Sequence, residues 1–529
     1  MPYRKNLPGL FIAVCLVFQI SIYAQPSVAS LPRSNPEAEG VSSIAINSFI
    51  DAAGKSNNEF HSFMFLRHGK VIAEGWWNPY KPALKHTMYS VSKSFTSTAV
   101  GFAVSEGKFS LNDKVISFFP ELIKPDTVAG LPALLTVKDL ITMSAGQNPD
   151  PTRSVMIQPD WIKAFLNTPI SDTPGTKFLY NSAATFMLSA IVQKTTGEKI
   201  LDYLTPRLFQ PLSITGIDWE ENPQHINSGG WGLRLKTEDM AKFGQLYLQK
   251  GKWNGKQILP EDWIEEATTF KIKNAPDTAV TLKAKSDWAQ GYCYQFWRCR
   301  NNAFRADGAF GQYIIVMPDQ EAVIAITSET ANMQSILDMV WQYLLPGMSA
   351  MGEKSNVDIG KKLAALSIAA PAASVNPSIA SRISGKTFEM NDSTKLADKI
   401  SFLFKNNTCT YTVTSGGKAY SFICGNGKWV TGETVFLQSM PSLTSVAQNR
   451  LAGFTSFKVA GAYTWQDQNT LMLSIRYTES PHTDYIYSRF DGDNVSVYHQ
   501  NSLQRMAGGS DKPYTITGKI KQDHTMRVK

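Results

Sequence analysis

The sequence predicts an α+β domain, an antiparallel sheet flanked by helices with an all-helical part in its middle, followed by a small all-β domain. Three observations carry this reading. Strand patterns stand at both ends of the first 350 residues, helical periodicity fills the space between them, and two-residue alternation takes over beyond a stretch rich in Ala, Pro and Ser. At 529 residues the chain is too long for one core, since single domains run to roughly 100–250 residues. A hydrophobic share of 43% with only 18% charged residues excludes a disordered or coiled-coil chain. The net charge of +8 is scattered with no block of like sign, which argues against a nucleic-acid partner.

Taken in order, Arg4 and Lys5 precede an apolar run from Leu10 to Tyr23, then Ala24. The run is shorter than the roughly 20 residues a spanning helix needs, so residues 1–24 read as a secretory signal peptide and the mature protein as periplasmic or secreted, with no membrane span. Residues 25–350 form the first domain. Residues 62–77 read as a hairpin around Gly69. From Ser90 to Glu106 the apolar residues Phe95, Ala99, Phe102 and Ala103 recur at helical spacing, with Gly107 at the stop position. Thr136 and Asp139 have the form of a capping box, and Ala184–Gln193 and Thr237–Gln249 are further helices. Strands return at Gly291–Arg298, Gln312–Met317 and Ala322–Ser328, the last two joined by the turn Pro318–Glu321. Strands at both termini of one domain imply a single sheet in which the two ends meet. Residues 351–381 read as a linker, residues 382–505 as a separate β-barrel or sandwich, and residues 506–529 as a polar tail.

Four cysteines remain after the signal peptide: Cys293, Cys299, Cys409 and Cys424. None has metal-ligand spacing with a histidine, so no metal is expected. If Gly416 and Gly417 form a two-residue hairpin loop, Cys409 and Cys424 fall directly opposite each other, as a cross-strand disulfide or as two buried thiols.

The chemistry-bearing residues fall in three segments. Ser90-Val91-Ser92-Lys93 opens the first strong helix, and three residues advance a helix by nearly a turn, so the Lys93 amine reaches the Ser90 hydroxyl. A buried lysine has its charged form disfavoured and can serve as the base a serine nucleophile requires, while the helix start offers N–H groups to an oxyanion. Read alone, the pattern more often marks a capped surface helix with a solvated lysine. Tyr180-Asn181-Ser182 follows the turn Pro174-Gly175-Thr176-Lys177. A phenol beside a lysine ammonium can be held partly or wholly deprotonated and pass a proton between Ser90 and a leaving group; the plainer reading is that Asn181 or Ser182 caps a helix and Tyr180 packs. In Arg305-Ala306-Asp307-Gly308-Ala309-Phe310-Gly311, the glycines let backbone approach a ligand, and the Ala309 N–H complements that of Ser90; otherwise this is a strand entry with a bulge. The histidines, His61, His86 and His225 among them, read as surface or hydrogen-bonding residues, and the aromatics of residues 291–297 as core packing or, second, as a wall of the cleft.

In this order and spacing the three segments resemble the penicillin-recognising serine hydrolases: class C β-lactamases, D-alanyl-D-alanine peptidases and related esterases and amidases. Leu135–Gly146 and the stretch Gly230–Gly244 also look like family signatures, and Gly308–Gln312 looks closest to the 6-aminohexanoate-dimer hydrolase branch. The segment after the linker is similar to small lipocalin-like domains appended to some members. The resemblance implies a β-lactamase/transpeptidase-like fold and an acyl-enzyme on Ser90, with Lys93 and Tyr180 as the acid–base pair. Ser90, Ala309, Ser182 and Gly308 then form the oxyanion and substrate-binding set, and no cofactor is implied. Ser182 stands where antibiotic-hydrolysing members carry Asn, and Ala306-Asp307-Gly308 where they carry Lys-Thr-Gly. Losing such charge-assisted bonds costs roughly 1.5–3 kcal/mol, about ten- to a hundredfold in recognition. The expectation is therefore an exported hydrolase of a small-molecule or peptide-like amide or ester without strong β-lactamase activity. A D-alanyl-D-alanine carboxypeptidase or penicillin-binding protein, and a non-catalytic binding protein on the same fold, are the alternatives; the sequence carries no signal for oligomeric state.

Overall fold

In the computed structural model the described residues are 30–122, 130–276, 278–348, 356, 358–391, 397–435, 456–506 and 514–521, with the isolated Met1 and Tyr3. The apolar N-terminal run and its cleavage site lie outside them. Among the described residues no helix is long and apolar enough to cross a membrane.

The first domain is organised by a six-stranded antiparallel sheet. Its strands are β1 (Glu59–Arg67), β2 (Lys70–Trp76), β3 (Trp297–Arg298), β4 (Phe304–Gly308), β5 (Gln312–Met317) and β6 (Ala322–Glu329), in spatial order β2-β1-β6-β5-β4-β3. The two chain ends of the domain do meet, since β1 pairs with β6 from Glu59↔Glu329 to Arg67↔Ala322. Alternation along β1 sends Met64 and Leu66 to one face and Phe63 and Phe65 to the other, and all four are fully buried. One face is covered by helix α1 (Ser43–Lys55) and by the helical stretch from Met333 to Gly347. The other carries the larger core with α2 (Ser92–Ser105), α3 (Val137–Ile141), α4 (Ser182–Thr196) and α5 (Thr237–Leu248). Thr136 and Asp139 form the capping box in front of α3.

Two local expectations change. Of the strand expected over Gly291–Arg298, only Trp297–Arg298 joins the sheet. Gly291 at φ 103° and Gln295 at φ 63° turn the chain out of the extended conformation. Ser90 also lies in a 3-10 turn, Tyr89–Val91, just before α2 rather than inside it.

The C-terminal domain is a closed antiparallel meander. Strands β7 (Thr387–Asn391), β8 (Lys399–Lys405), β9 (Thr408–Ser415), β10 (Lys418–Asn426), β11 (Val430–Thr434), β12 (Phe457–Trp465), β13 (Thr470–Tyr477), β14 (Thr483–Asp491), β15 (Asn494–Asn501) and β16 (Tyr514–Ile520) form a ten-stranded sheet. A parallel pairing of β10 with β12 closes it into a barrel, where a side chain at Gly461 would run into the Ile423 carbonyl at 2.5 Å. Residues 514–520, expected in a polar tail, are instead the strand between β15 and β7; Thr515, Thr517 and Lys519 hide the alternation because the strand is half-exposed. The barrel interior is filled by side chains such as Phe388, Phe402, Phe457, Trp465 and Phe490. The stretch read as a linker is partly packed: Leu363 and Leu366 press on Gly75 in β2, and the Asn78 N–H donates to the Leu366 carbonyl at 3.0 Å.

Gly416 and Gly417 form the β9–β10 turn, both with positive φ, and Cys409 stands opposite Cys424. The two are free, buried thiols, and burial pushes that of Cys424 up to about 12. Both are therefore expected to be alkylated by iodoacetamide in denaturant without prior reduction, which peptide mass mapping checks.

Candidate active site

The turn carrying Ser90 is fixed from three sides. The Ser92 hydroxyl donates to the Tyr89 carbonyl at 2.6 Å and accepts from the Leu233 N–H at 3.2 Å. The Met88 N–H donates to the Leu233 carbonyl at 2.8 Å. Tyr89, held at φ 48°, turns the chain sharply into Ser90. One turn on from Ser90, Lys93 is 1% exposed, with its Nζ 3.0 Å from Ser90 Oγ and donating to the Gly230 carbonyl at 2.7 Å. The signature segment Gly230–Leu235 thus supplies the carbonyl that aims the amine. A side chain on Gly230 would sit 3.1 Å from the Ser182 carbonyl and 3.5 Å from Lys93 Nζ.

Tyr180 reaches the same point from a loop laid along the other signature segment, Leu135–Gly146. The Gly175 N–H donates to the Ser144 carbonyl and the Leu179 N–H to the Met143 carbonyl, both at 2.8 Å. The Tyr180 phenol comes close enough to the Ser90 hydroxyl for the two to interact, and its ring lies 4.8 Å from Lys93 Nζ. Trp297 stacks on Tyr180 at 5.7 Å between ring centres, with Tyr292 and Phe178 behind it. The aromatics of residues 291–297 divide: Tyr294 and Phe296 pack in the main core, while Tyr292 and Trp297 form a separate cluster around Tyr180. Asn181 and Ser182 divide the remaining work: Asn181 caps α4 by accepting from the Ala184 N–H at 3.0 Å, while the Ser182 N–H donates to Thr152 Oγ1 at 3.0 Å.

Gly308 ends β4 against the Ser90 turn. A Cβ there would stand 2.1 Å from the Met88 carbonyl, so only glycine lets the strand bring Ala309 beside residues 88–90. Gly308→Ala is expected to force the two backbones apart and destabilise the domain by about 1–3 kcal/mol, measured as a fall in Tm.

Burial controls the electrostatics. It pushes the Lys93 ammonium down to about 7, opposed by the nearby carboxylates of Asp307 and Asp150. It pushes the Tyr180 phenol well above the ordinary tyrosine range, with Asp307 adding to the rise. Both shifts run against the deprotonated phenol expected from the sequence, since burial disfavours the phenolate and the ammonium alike. Arg305, fully buried, spends its guanidinium on Asp307 at 2.8 Å and the Asp287 carbonyl at 2.9 Å.

His61 and His86 lie 3.0 Å apart, both buried and pushed down by desolvation, while His225 is exposed beside Glu221. Among the described residues no three His, Cys, Asp or Glu side chains gather as a metal site. Two groups escaped the sequence reading. Gln295, buried at positive φ, ties three helices together: its side chain accepts from Thr185 Oγ1 at 2.7 Å and donates to the Ile141 carbonyl at 2.8 Å, and its carbonyl accepts from Ser94 Oγ at 2.7 Å. The second group joins the domains: Arg476 pairs with Glu59, Arg234 with Glu479 at 3.3 Å, and His482 with Tyr89 and Glu329. No short-range pattern links residues so far apart in sequence.

The profile of the beta-lactamase family matches residues 61–343, more than half of the chain. The chain belongs to the beta-lactamase family. This agrees with the resemblance carried by the motifs, and members of the family are serine hydrolases. The chain is 26% identical over 285 residues to the 6-aminohexanoate-dimer hydrolase of Paenarthrobacter ureafaciens, covering 50% of this chain and 71% of that protein. It is 23% identical over 317 residues to a beta-lactamase of Escherichia coli K12, covering 50% and 81%. Among solved structures, a putative 6-aminohexanoate-dimer hydrolase from Bacillus anthracis superposes with a TM-score of 0.47 at 20% identity, over 59% of this chain and 87% of that one. An octameric penicillin-binding protein homologue from Pyrococcus abyssi gives 0.47 at 15% identity, over 90% and 99%.

Proposed function

We propose that this beta-lactamase-family protein is an exported serine hydrolase that cleaves an amide or ester through an acyl-enzyme on Ser90. The observation that carries the proposal is the 3.0 Å approach of a buried lysine amine, its ammonium pushed down to about 7 by desolvation, to a half-buried serine hydroxyl. Lys93 takes the Ser90 proton through its lone pair as Oγ attacks the carbonyl carbon. The neutral Tyr180 hydroxyl, beside Ser90, hands a proton to the departing amine or alcohol and is reprotonated from Lys93. The N–H groups of Ser90 and Ala309 hold the oxyanion, and water then releases the acyl group by the reverse relay. Ser182 and Gly308 border the substrate, and no cofactor takes part.

Arg305 is sealed under Asp307 and so cannot grip a substrate carboxylate. This favours substrates other than penicillins and supports weak β-lactamase activity. We further propose a lipocalin-like ancestry for the barrel. A fluorophosphonate is expected to add its mass to Ser90, and a panel of p-nitrophenyl esters, small amides and nitrocefin to give turnover on the first two and little on the last. An unlabelled, inert protein would reject the proposal.

A further inference from the structure

The barrel sends the loop between β13 and β14 into the first domain. It is anchored there by the Thr87 N–H donating to the Glu479 carbonyl at 2.9 Å and the Tyr80 hydroxyl donating to the Ser480 carbonyl at 3.0 Å. The end of the loop, His482, is fully buried, with Nδ1 2.6 Å from Glu329 Oε1 at the end of β6 and Nε2 bonded to the Tyr89 hydroxyl. Glu329 Oε1 also accepts from Ser502 Oγ of the barrel at 2.5 Å. A carboxylate only accepts, so Nδ1 carries a proton and the ring is fixed with Nε2 toward the Tyr89 hydroxyl. The Phe310 ring packs edge-on against both partners, 5.2 Å from Tyr89 and 4.9 Å from His482.

The placement is specific to the chemistry. Tyr89 immediately precedes Ser90 and Phe310 immediately follows Ala309, so the two residues flank the two N–H groups assigned to the oxyanion. Both are non-glycine residues in left-handed backbone, at φ 48° and 67°, a conformation that persists only where the surroundings over-determine it. We propose that His482 of the C-terminal barrel is a positioning residue for the oxyanion hole, holding Tyr89 and Phe310 so that the Ser90 and Ala309 N–H groups converge. The barrel is then part of the catalytic unit. This rests on the reading of Ser90 and Ala309 given above.

The test uses the full chain with p-nitrophenyl acetate, comparing His482→Ala, Tyr89→Phe, their combination and His482→Gln, each checked by thermal melting. A misplaced transition-state contact is worth about 10²-fold. His482→Ala and Tyr89→Phe are each expected to lower kcat by about 10- to 100-fold with KM within about twofold, since ground-state binding does not use the oxyanion hole. The double variant is expected to fall no further than either single one, and His482→Gln, which retains an acceptor for the Tyr89 hydroxyl, to recover part of kcat. Fluorophosphonate is still expected to label Ser90 to completion in His482→Ala. Unchanged kcat in both single variants, or losses that multiply in the double variant, would overturn the inference while leaving the Ser90 assignment intact. Absence of Ser90 labelling in the unmodified protein would overturn both.

Discussion

Replacing Ser90 by alanine is expected to lower kcat/KM on a p-nitrophenyl ester by about 10⁴-fold or more, the scale on which loss of a nucleophile is felt in serine hydrolases. The fluorophosphonate mass increment should vanish with it. The fold should not follow. Ser90 is half-buried, and its hydroxyl faces Lys93 and Tyr180 rather than the backbone. In the variant, Lys93 keeps its bond to the Gly230 carbonyl at 2.7 Å. The neighbouring serine of the same motif supplies the contrast. Ser92 is fully buried and its hydroxyl bridges the Tyr89 carbonyl and the Leu233 N–H, so Ser92→Ala leaves a buried N–H unpaired at a cost of about 1–3 kcal/mol. It should lower Tm while retaining Ser90 labelling. Activity in Ser90→Ala equal to that of the unmodified protein would exclude the acyl-enzyme.

What the sequence makes legible here is what short-range pattern encodes. Period-two alternation and turn glycines locate β1, β2, β5 and β6, and the Thr136–Asp139 box and the Gly107 stop delimit helices, because each signal lies within a few residues of its cause. The hairpin arithmetic that sets Cys409 opposite Cys424 is of the same kind. The Ser90–Lys93 approach is also local, being one helical turn, and Tyr180 becomes predictable only through its family context. Long-range electrostatics is not legible. Whether Tyr180 is a phenol or a phenolate depends on how much protein surrounds Lys93, and that environment is assembled from residues as distant as Gly230 and Asp307. The closing strand Tyr514–Ile520 was hidden because its exposed face is polar. The His482 contact joins residues 393 positions apart, which nothing in either segment announces.

The pH dependence of kcat/KM is expected to show an acid limb with its inflection near 7, falling tenfold per pH unit below it. Burial depresses the Lys93 ammonium from its model-compound value of 10.5 to about 7. Below that pH the amine holds its proton and has no lone pair for Ser90; above it the amine is neutral and activity reaches a plateau. No descending limb from Tyr180 should appear up to about pH 10, since burial moves the phenol above the ordinary tyrosine range. Two variants separate Lys93 from any other titrating group. Lys93→Arg places a cation that does not deprotonate in proteins next to Ser90, so activity should be lost by about 10³-fold or more at every pH rather than shifted along the axis. Asp150→Asn removes an exposed carboxylate that raises the Lys93 value, and should move the limb to lower pH with the plateau preserved. A limb that survives in Lys93→Arg would assign the titration, and with it the base, to another residue.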